Sequence, residues 1–338
     1  MPLKIAINGF GRIGRSAFRV AAQTKGVEVV AINDLIEPKL LAHLLKYDSV
    51  YGEFSQSVVA GREAIKVAGK SIPVSSIKEP AKLPWKKYQV DVVLECTGIF
   101  RKTADVKQHL IAGAKKVVVS APGKDDTMKT VVLGTKETSQ VIKGKSPDIV
   151  SNASCTTNCA SPVMQVLESI FGIEKAMLTT VHGYTADQSL VDGPHKDFRR
   201  ARAAAINIIP TTTGAAISTS KVIKTLDKKF DGISIRVPVP VGSITDITAL
   251  LKRKRVSEKQ INDAFKKAVK NPLFKNILAV TNKPLVSSDI VGTSYSAIVD
   301  LDFTRVVGGN LVKVLAWYDN EMAYSHRLVE MAVAVGKS

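Results

Sequence analysis

The chain reads as an α/β protein, a Rossmann-like doubly wound parallel sheet joined to an α+β catalytic domain whose sheet is mostly antiparallel. Three observations predict this. Short apolar runs alternate with amphipathic stretches through roughly the first 150 residues, as parallel strands with crossover helices require. A glycine-rich turn separates the first run from the first amphipathic stretch. Beyond it the texture changes to longer apolar strands, with no repeat, low-complexity tract or flexible linker between the halves.

The elements follow in order. LKIAIN and VEVVAIND are strands flanking a helix from Arg12 through Gln23; Val90 to Cys96 and Lys116 to Ser120 are further strands, with a helix over Ala104 to Gly113 between them. In the second half, strands are expected at Lys175 to His182, Gly232 to Val239, Ile244 to Leu251, Ala297 to Phe303 and Asn310 to Tyr318. Helices are expected at Thr156 to Phe171, Gly214 to Leu226, Ser257 to Lys270 and Glu321 to Val335. The last places Leu328, Met331, Ala332 and Val335 on one face, which must be buried. Residues 1–153, completed by a returning segment 319–338, form the expected nucleotide domain, and 154–318 the catalytic domain.

Composition narrows the class. With 45% hydrophobic and 23% charged residues among 338, the chain folds around a core and is not disordered. No apolar run reaches the ~20 residues of a membrane span, and MPLKIAINGF lacks a signal-peptide layout, so a cytoplasmic protein is expected. Cys96, Cys155 and Cys159 are too few and too oddly spaced for a disulfide framework or a zinc site, and no metal is expected. The net charge of +18 favours anionic partners, from phosphorylated metabolites to nucleic acid. Its densest run, Lys252-Arg253-Lys254-Arg255, has no aromatic interleaving and reads as a solvated strand end before a nucleic-acid patch.

Gly9-Phe10-Gly11-Arg12-Ile13-Gly14 places a G-x-G-x-x-G between strand and helix, where a dinucleotide fingerprint belongs. Asp34 ends the second strand, twenty positions after Gly14. A carboxylate there accepts from ribose hydroxyls and repels a 2′-phosphate, favouring NAD over NADP. Thr97-Gly98 and Ser120-Ala121-Pro122 fall at other strand C-termini, where nucleotides bind in such sheets.

Chemistry centres on Ser154-Cys155-Thr156-Thr157-Asn158. A cysteine at a helix N-terminus faces unpaired backbone N–H groups and a dipole that favours its thiolate, and the same donors suit an anionic substrate. His182, at the end of an apolar strand and followed by glycine, is placed to serve as its base.

The ordered set INGFGRIGR, IND, SNASCTTNC, TTVHGYTADQ, RRARAAA, IIPTTTGAA, IRVPVP and WYDNE resembles the phosphorylating (type I) glyceraldehyde-3-phosphate dehydrogenase family along essentially the whole chain. The resemblance implies a homotetrameric, NAD-dependent glycolytic enzyme that oxidises glyceraldehyde 3-phosphate in the presence of inorganic phosphate to 1,3-bisphosphoglycerate. It implies Cys155 as nucleophile and His182 as its activator. Thr185 and Arg236 match the substrate-phosphate pocket; Ser154, Thr156, Thr213 and Gly214 match that of the attacking phosphate, with Arg200 serving around both. Arg12 and Ile13 match pyrophosphate contacts, Asp34 the ribose contact, Lys78 and Ser120 positions near the nucleotide, and Asn320, which otherwise reads as a helix cap, the carboxamide contact. Ile99, Phe198 and Met322-Ala323 depart from the family pattern without touching these groups. A sister enzyme oxidising erythrose 4-phosphate would keep Cys155 and His182, and a nucleic-acid or scaffold role would use the basic surface in addition.

Overall fold

The structure is a computed structural model that describes residues 1–144 and 146–337. Two compact units emerge: one formed by Met1–Val131, Val141–Ala153 and Ser325–Ser338, the other by Val132–Gln140 and Ser154–Tyr324. Two boundaries differ from the expected ones. Residues 132–140 group with the second unit, and the chain returns to the first at Ser325, six residues beyond the expected position 319. Among the described residues, no helix is long and apolar enough to cross a membrane.

The first unit holds β1 (Leu3–Asn8), α1 (Arg12–Ala21), β2 (Val27–Asn33), α2 (Pro38–Lys46), β3 (Val58–Ala60), β4 (Ala64–Val67) and β5 (Lys70–Ser75). It continues with β6 (Val92–Glu95), α3 (Thr103–Val106), α4 (Gln108–Ile111), β7 (Lys116–Val119) and β8 (Lys129–Thr130); α5 (Lys136–Lys143) and β9 (Ile149–Ser151) follow in the chain. The strand order is β3-β4-β5-β2-β1-β6-β7-β9-β8. From β5 to β8 all neighbours are parallel, and only the β3–β4–β5 edge is antiparallel. Strand order reverses between β1 and β6, which opens a crevice at the carboxyl ends of these two strands. Parallel strands are covered on both faces, which is why Ile5, Ile7, Val92, Val93 and Leu94 are all fully buried.

The helix expected over 104–113 is instead two single turns, α3 and α4, divided at Lys107. The expected helices 12–23 and 214–226 also end early, at Ala21 and Val222. The β3–β5 edge had no clear sequence signature, because β3 and β4 are only three and four residues long and β5 is interrupted by a proline.

The second unit begins with α6 (Cys155–Phe171), β10 (Ile173–Gly183), β11 (Ile209–Thr212), α7 (Ala215–Val222), β12 (Phe230–Val237) and β13 (Ser243–Leu251). It ends with α8 (Glu258–Ala268), β14 (Leu278–Thr281), α9 (Ser287–Ile290), β15 (Ala297–Val307) and β16 (Leu311–Tyr318); the terminal helix α10 is Met322–Gly336. Its sheet runs β11-β12-β10-β13-β16-β15-β14, with four antiparallel pairs and two parallel ones. Helices α6, α7 and α8 pack on one face, and the strict in–out alternation of β13 follows from that one-sided burial. On the strands of this sheet Met177, Ile233, Phe303 and Val307 remain exposed.

The glycines of the first turn test how tightly this fold is specified. A Cβ on Gly14 would stand 2.2 Å from the Gly9 carbonyl oxygen, whereas one on Gly11 would meet nothing within 4 Å. Gly14→Ala should therefore cost about 1–3 kcal/mol through a forced backbone shift. Gly11→Ala should leave the thermal melt nearly unchanged while weakening NAD binding, because its Cβ fills space that a pyrophosphate needs; circular dichroism melts paired with NAD titrations separate the two effects.

Candidate active site

The nucleotide crevice belongs to the first unit. Gly9 takes φ +88°, a left-handed value that admits glycine readily, and a Cβ there would come within 2.7 Å of the Thr97 nitrogen. Helix α1 starts at Arg12 behind Gly11, and no side chain caps it. The first-turn N–H groups, including those of Arg12 and Ile13, thus form a ready anion site. The Arg12 side chain is engaged elsewhere, donating from Nη1 to Asp48 Oδ2 at 3.1 Å, so its fitness for pyrophosphate rests on its backbone.

Asp34 does more than end a strand. Its Oδ2 accepts from Phe10 N at 2.6 Å and its Oδ1 from Ile36 N at 3.0 Å, so the carboxylate ties the glycine turn to β2. Each oxygen keeps acceptor capacity for a hydroxyl. Lys78 is exposed, and it follows Ile77, whose N–H and C=O are both bound by the buried side chain of Asn33. Ser120 N donates to Glu95 O at the end of β7.

Beneath the crevice lies a polar network that sequence reasoning missed. Glu95 Oε2 accepts from Asn8 Nδ2 at 2.6 Å and contacts His109 Nε2 at 3.0 Å; Glu95 Oε1 accepts from the backbone and hydroxyl of Thr97. Trp85 Nε1 donates to His109 Nδ1 at 3.0 Å. An indole N–H can only donate, so Nδ1 is the acceptor and the His109 proton sits on Nε2, aimed at Glu95. Asn33 then donates to Asn8 Oδ1 at 2.8 Å, linking this network to the Asp34 turn. The one available signal was Glu95 inside an otherwise apolar strand. A buried carboxyl needs donors.

Cys155 and His182 belong to the second unit. Ser154 caps α6, its Oγ accepting from Thr157 N at 3.1 Å, and Cys155 is the first helical residue. The preceding residue, Ala153, is held at φ 56°, a left-handed conformation that costs a non-glycine residue about 1–2 kcal/mol. Cys155 Sγ lies 3.4 Å from His182 Nε2.

Sheet register assembles the rest. His182 on β10 is the partner of Arg236 on β12 and of Ser243 on β13, and Ser243 pairs with Tyr318 on β16. These four residues form one transverse row. The small Ser243 leaves the His182 and Tyr318 rings 5.9 Å apart, edge to face. Tyr318 Oη then bonds the hydroxyls of Thr156 and Thr180, each at 2.8 Å. Neither Tyr318 nor Thr180 was singled out from sequence, although both lie within the motifs WYDNE and TTVHGY.

His182 Nδ1 is held from two sides, 2.6 Å from Gly183 O and 2.8 Å from Arg236 Nη1, which also donates to Gly183 O at 3.1 Å. The carbonyl calls for a proton on Nδ1, whereas the guanidinium, a donor only, calls for a lone pair there. In either tautomer it is Nε2 that faces the Cys155 sulfur. Burial is the chief cause that lowers His182 to about 3, with Arg236 adding repulsion. Burial also pushes the Cys155 thiol up, while the charge of Arg236 and the hydrogen bonds of Thr156 pull it down. The helix terminus and Arg236 thus favour the thiolate while burial opposes it, and Cys155 itself is only partly buried. Cys159, fully buried, is pushed to about 12 and packs inside α6.

The proposed anion residues are placed unequally. Arg236 is half-buried, its Nε without a partner; Gln188 Nε2 is another buried donor without one. Gln188 was not singled out from sequence, and its Oε1 accepts from Thr185 N at 3.4 Å. Thr213 and Gly214 precede α7, with Thr213 Oγ1 accepting from Ala215 N at 3.2 Å. Arg200, by contrast, is bound internally: Nη1 donates to Asp187 Oδ2 at 2.6 Å and Nε to Thr211 Oγ1 at 2.9 Å. Its guanidinium must exchange these partners to grip a phosphate. Asn320 Oδ1 accepts from Gly242 N at 3.0 Å and Ser243 Oγ at 3.1 Å, which directs its amide nitrogen away from them. The cap reading of Asn320 is corrected, since Asp319 Oδ1 receives Glu321 N and Met322 N, both at 2.8 Å.

A dinucleotide crevice in one unit and a base-paired cysteine in the other define a thiol-dependent oxidoreductase. Residues 3–103 match the family described as glyceraldehyde 3-phosphate dehydrogenase, NAD binding domain, and residues 154–320 match its C-terminal domain. The chain is 50% identical over 337 residues to glyceraldehyde-3-phosphate dehydrogenase 2 of Streptomyces avermitilis, covering 99% of both chains. It is 49% identical over 335 residues to the Borreliella burgdorferi glyceraldehyde-3-phosphate dehydrogenase, covering 98% of both, and 48% identical over 335 residues to that of Geobacillus stearothermophilus, covering 99% of this chain and 98% of the relative. The chain belongs to the glyceraldehyde-3-phosphate dehydrogenase family.

Two measurements test the electrostatics. Arg236→Leu removes the cation that draws the Cys155 proton off, so the midpoint of iodoacetamide alkylation against pH should move upward. His182 falls from an ordinary 6.5 to about 3 on folding, so its contribution to stability is full above about 6.5 and is lost as pH falls toward about 3. Urea midpoints of the wild type should therefore drop between about pH 7.5 and about pH 5 more than those of His182→Asn.

Proposed function

We propose that this chain oxidises D-glyceraldehyde 3-phosphate with NAD and inorganic phosphate to 1,3-bisphosphoglycerate, through a thioester on Cys155. The observation that carries the mechanism is the 3.4 Å contact between Cys155 Sγ and His182 Nε2 at the capped start of α6.

His182 Nε2 takes the thiol proton as the sulfur attacks the aldehyde carbon, giving a thiohemiacetal on Cys155. Its oxyanion accepts from the Cys155 backbone N–H and from the protonated His182. NAD, held through the glycine turn and Asp34, would supply the hydride acceptor that makes this an oxidation. The resulting thioester retains the oxidation energy. Inorganic phosphate then attacks the thioester carbon, the C–S bond breaks, and Cys155 regains its proton through His182. The field of Arg236 disfavours a lasting imidazolium and so returns that proton readily.

The buried, unpartnered Arg236 Nε and Gln188 Nε2 support an anion at the Thr185–Arg236 end of the site. The Ser154, Thr156, Thr213 and Gly214 set is the proposed pocket for the attacking phosphate, with Arg200 recruited from its carboxylates. A homotetramer is proposed on the exposure of Leu190, Val191, Phe198, Ile206 and Ile208 along the segment 184–208, a run of apolar surface that self-association would cover. A cytoplasmic setting agrees with the three free cysteines.

Cys155→Ser should abolish NADH formation while leaving NAD affinity intact. His182→Asn should lower turnover by about 10²–10⁴. Asp34→Ala should relax the preference for NAD over NADP, read as the ratio of kcat/KM values. Phosphate-dependent NADH production from the triose, faster than from erythrose 4-phosphate, supports the assignment; the reverse order assigns the sister activity. Sedimentation of a single monomeric species would remove the tetramer.

A further inference from the structure

A second cleft lies in the second unit at the opposite end of α6 from Cys155. It measures about 570 Å³ and is formed by the C-terminal part of α6, by α8 and the turn after it, and by the start of α5. Its apolar lining includes Val166, Phe171, Ala264, Ala268 and Phe274, all buried. The wall is braced by Gln165, whose Oε1 accepts from Lys136 N at 3.0 Å while its Nε2 donates to Ser169 Oγ at 2.9 Å.

Three cations line this cleft: Lys136, Arg253 and Lys267. None of them forms an ion pair among the described residues. The one carboxylate of the lining, Asp263, is already engaged by Lys259 at 2.6 Å. Arg253 stacks over Phe171, its guanidinium carbon 5.7 Å from the ring centroid, with its backbone N–H bonded to Phe171 O. This is the arginine of the basic run 252–255. The run leaves the end of β13 with its side chains in solvent, and Arg253 is the member that lines the cleft.

We propose that this cleft binds a small amphipathic anion, an aromatic ring carrying a phosphate. The ring lies in the apolar trough against Phe171 and Phe274, and the phosphate meets Arg253, Lys267 and Lys136. Guanidinium is suited to the head group because it offers a planar fork of donors while its own face rests on an aromatic ring. A half-open cleft of this size suits a single ring better than a nucleic-acid strand, which needs an extended groove with several stacking platforms.

The test is equilibrium dialysis of 1-naphthyl phosphate against the whole protein, with NAD saturating so that the crevice is filled and with no inorganic phosphate added, since that would compete for the same three cations. One binding site per chain should be lost or weakened about tenfold in the double variant Arg253→Glu, Lys267→Glu, because attraction becomes repulsion at two positions. The variant's kcat and KM for the triose should be unchanged, which shows that the fold and the Cys155 site are intact. Uncharged 1-naphthol should bind more weakly than the phosphate. No binding, or binding that the charge reversals leave untouched, overturns the proposal.

Discussion

His182, Arg236, Ser243 and Tyr318 come from four strands and share one transverse row of the second sheet. Side chains alternate faces along a strand, so a slip of one residue in any of these pairings would turn a member of the row to the other face. The one-sided burial of the sheet under α6, α7 and α8 prevents that slip. With the row fixed, the remaining geometry follows. His182 Nε2 meets Cys155 at the start of α6, and Tyr318 reaches over the small Ser243 to Thr156, the next residue of the helix.

Burial gives this row its chemistry. The same exclusion of water raises the thiol and lowers the imidazole, and Arg236 biases both groups toward proton loss. The first unit solves a different problem. Its glycine turn must stay open to an anion while remaining rigid, and donors converging on Glu95 hold the ends of β1 and β6 from below.

Much of this was legible in the linear sequence. The G-x-G-x-x-G turn, Asp34, the Ser-capped Cys155 and the strand-end His182 each carry a local signature, and the parallel and mostly antiparallel halves differ in strand texture. Elements with little apolar surface or few residues were not legible, among them β3–β5 at a sheet edge and the divided α3 and α4. Partnerships across the fold were hidden as well. Arg200 looks free in RRARAAA, yet Asp187, Asp197 and Thr211 surround it. Gln188, Tyr318 and Glu95 have no local pattern that marks them, because each acts through a residue distant in sequence.

By itself the sequence determined the two-part architecture, the dinucleotide crevice and the identity of the cysteine and histidine, since turns, caps and strand ends are set by residues only a few positions apart. Tertiary structure decided which partners those residues meet. It set the Cys155–His182 distance, placed Arg236 and Gly183 against His182 Nδ1, gave the helix cap to Asp319, and turned Arg253 into a cleft at the far end of α6. The physical reason is that desolvation and sheet register depend on neighbours brought together from across the whole domain, and no window along the chain contains them.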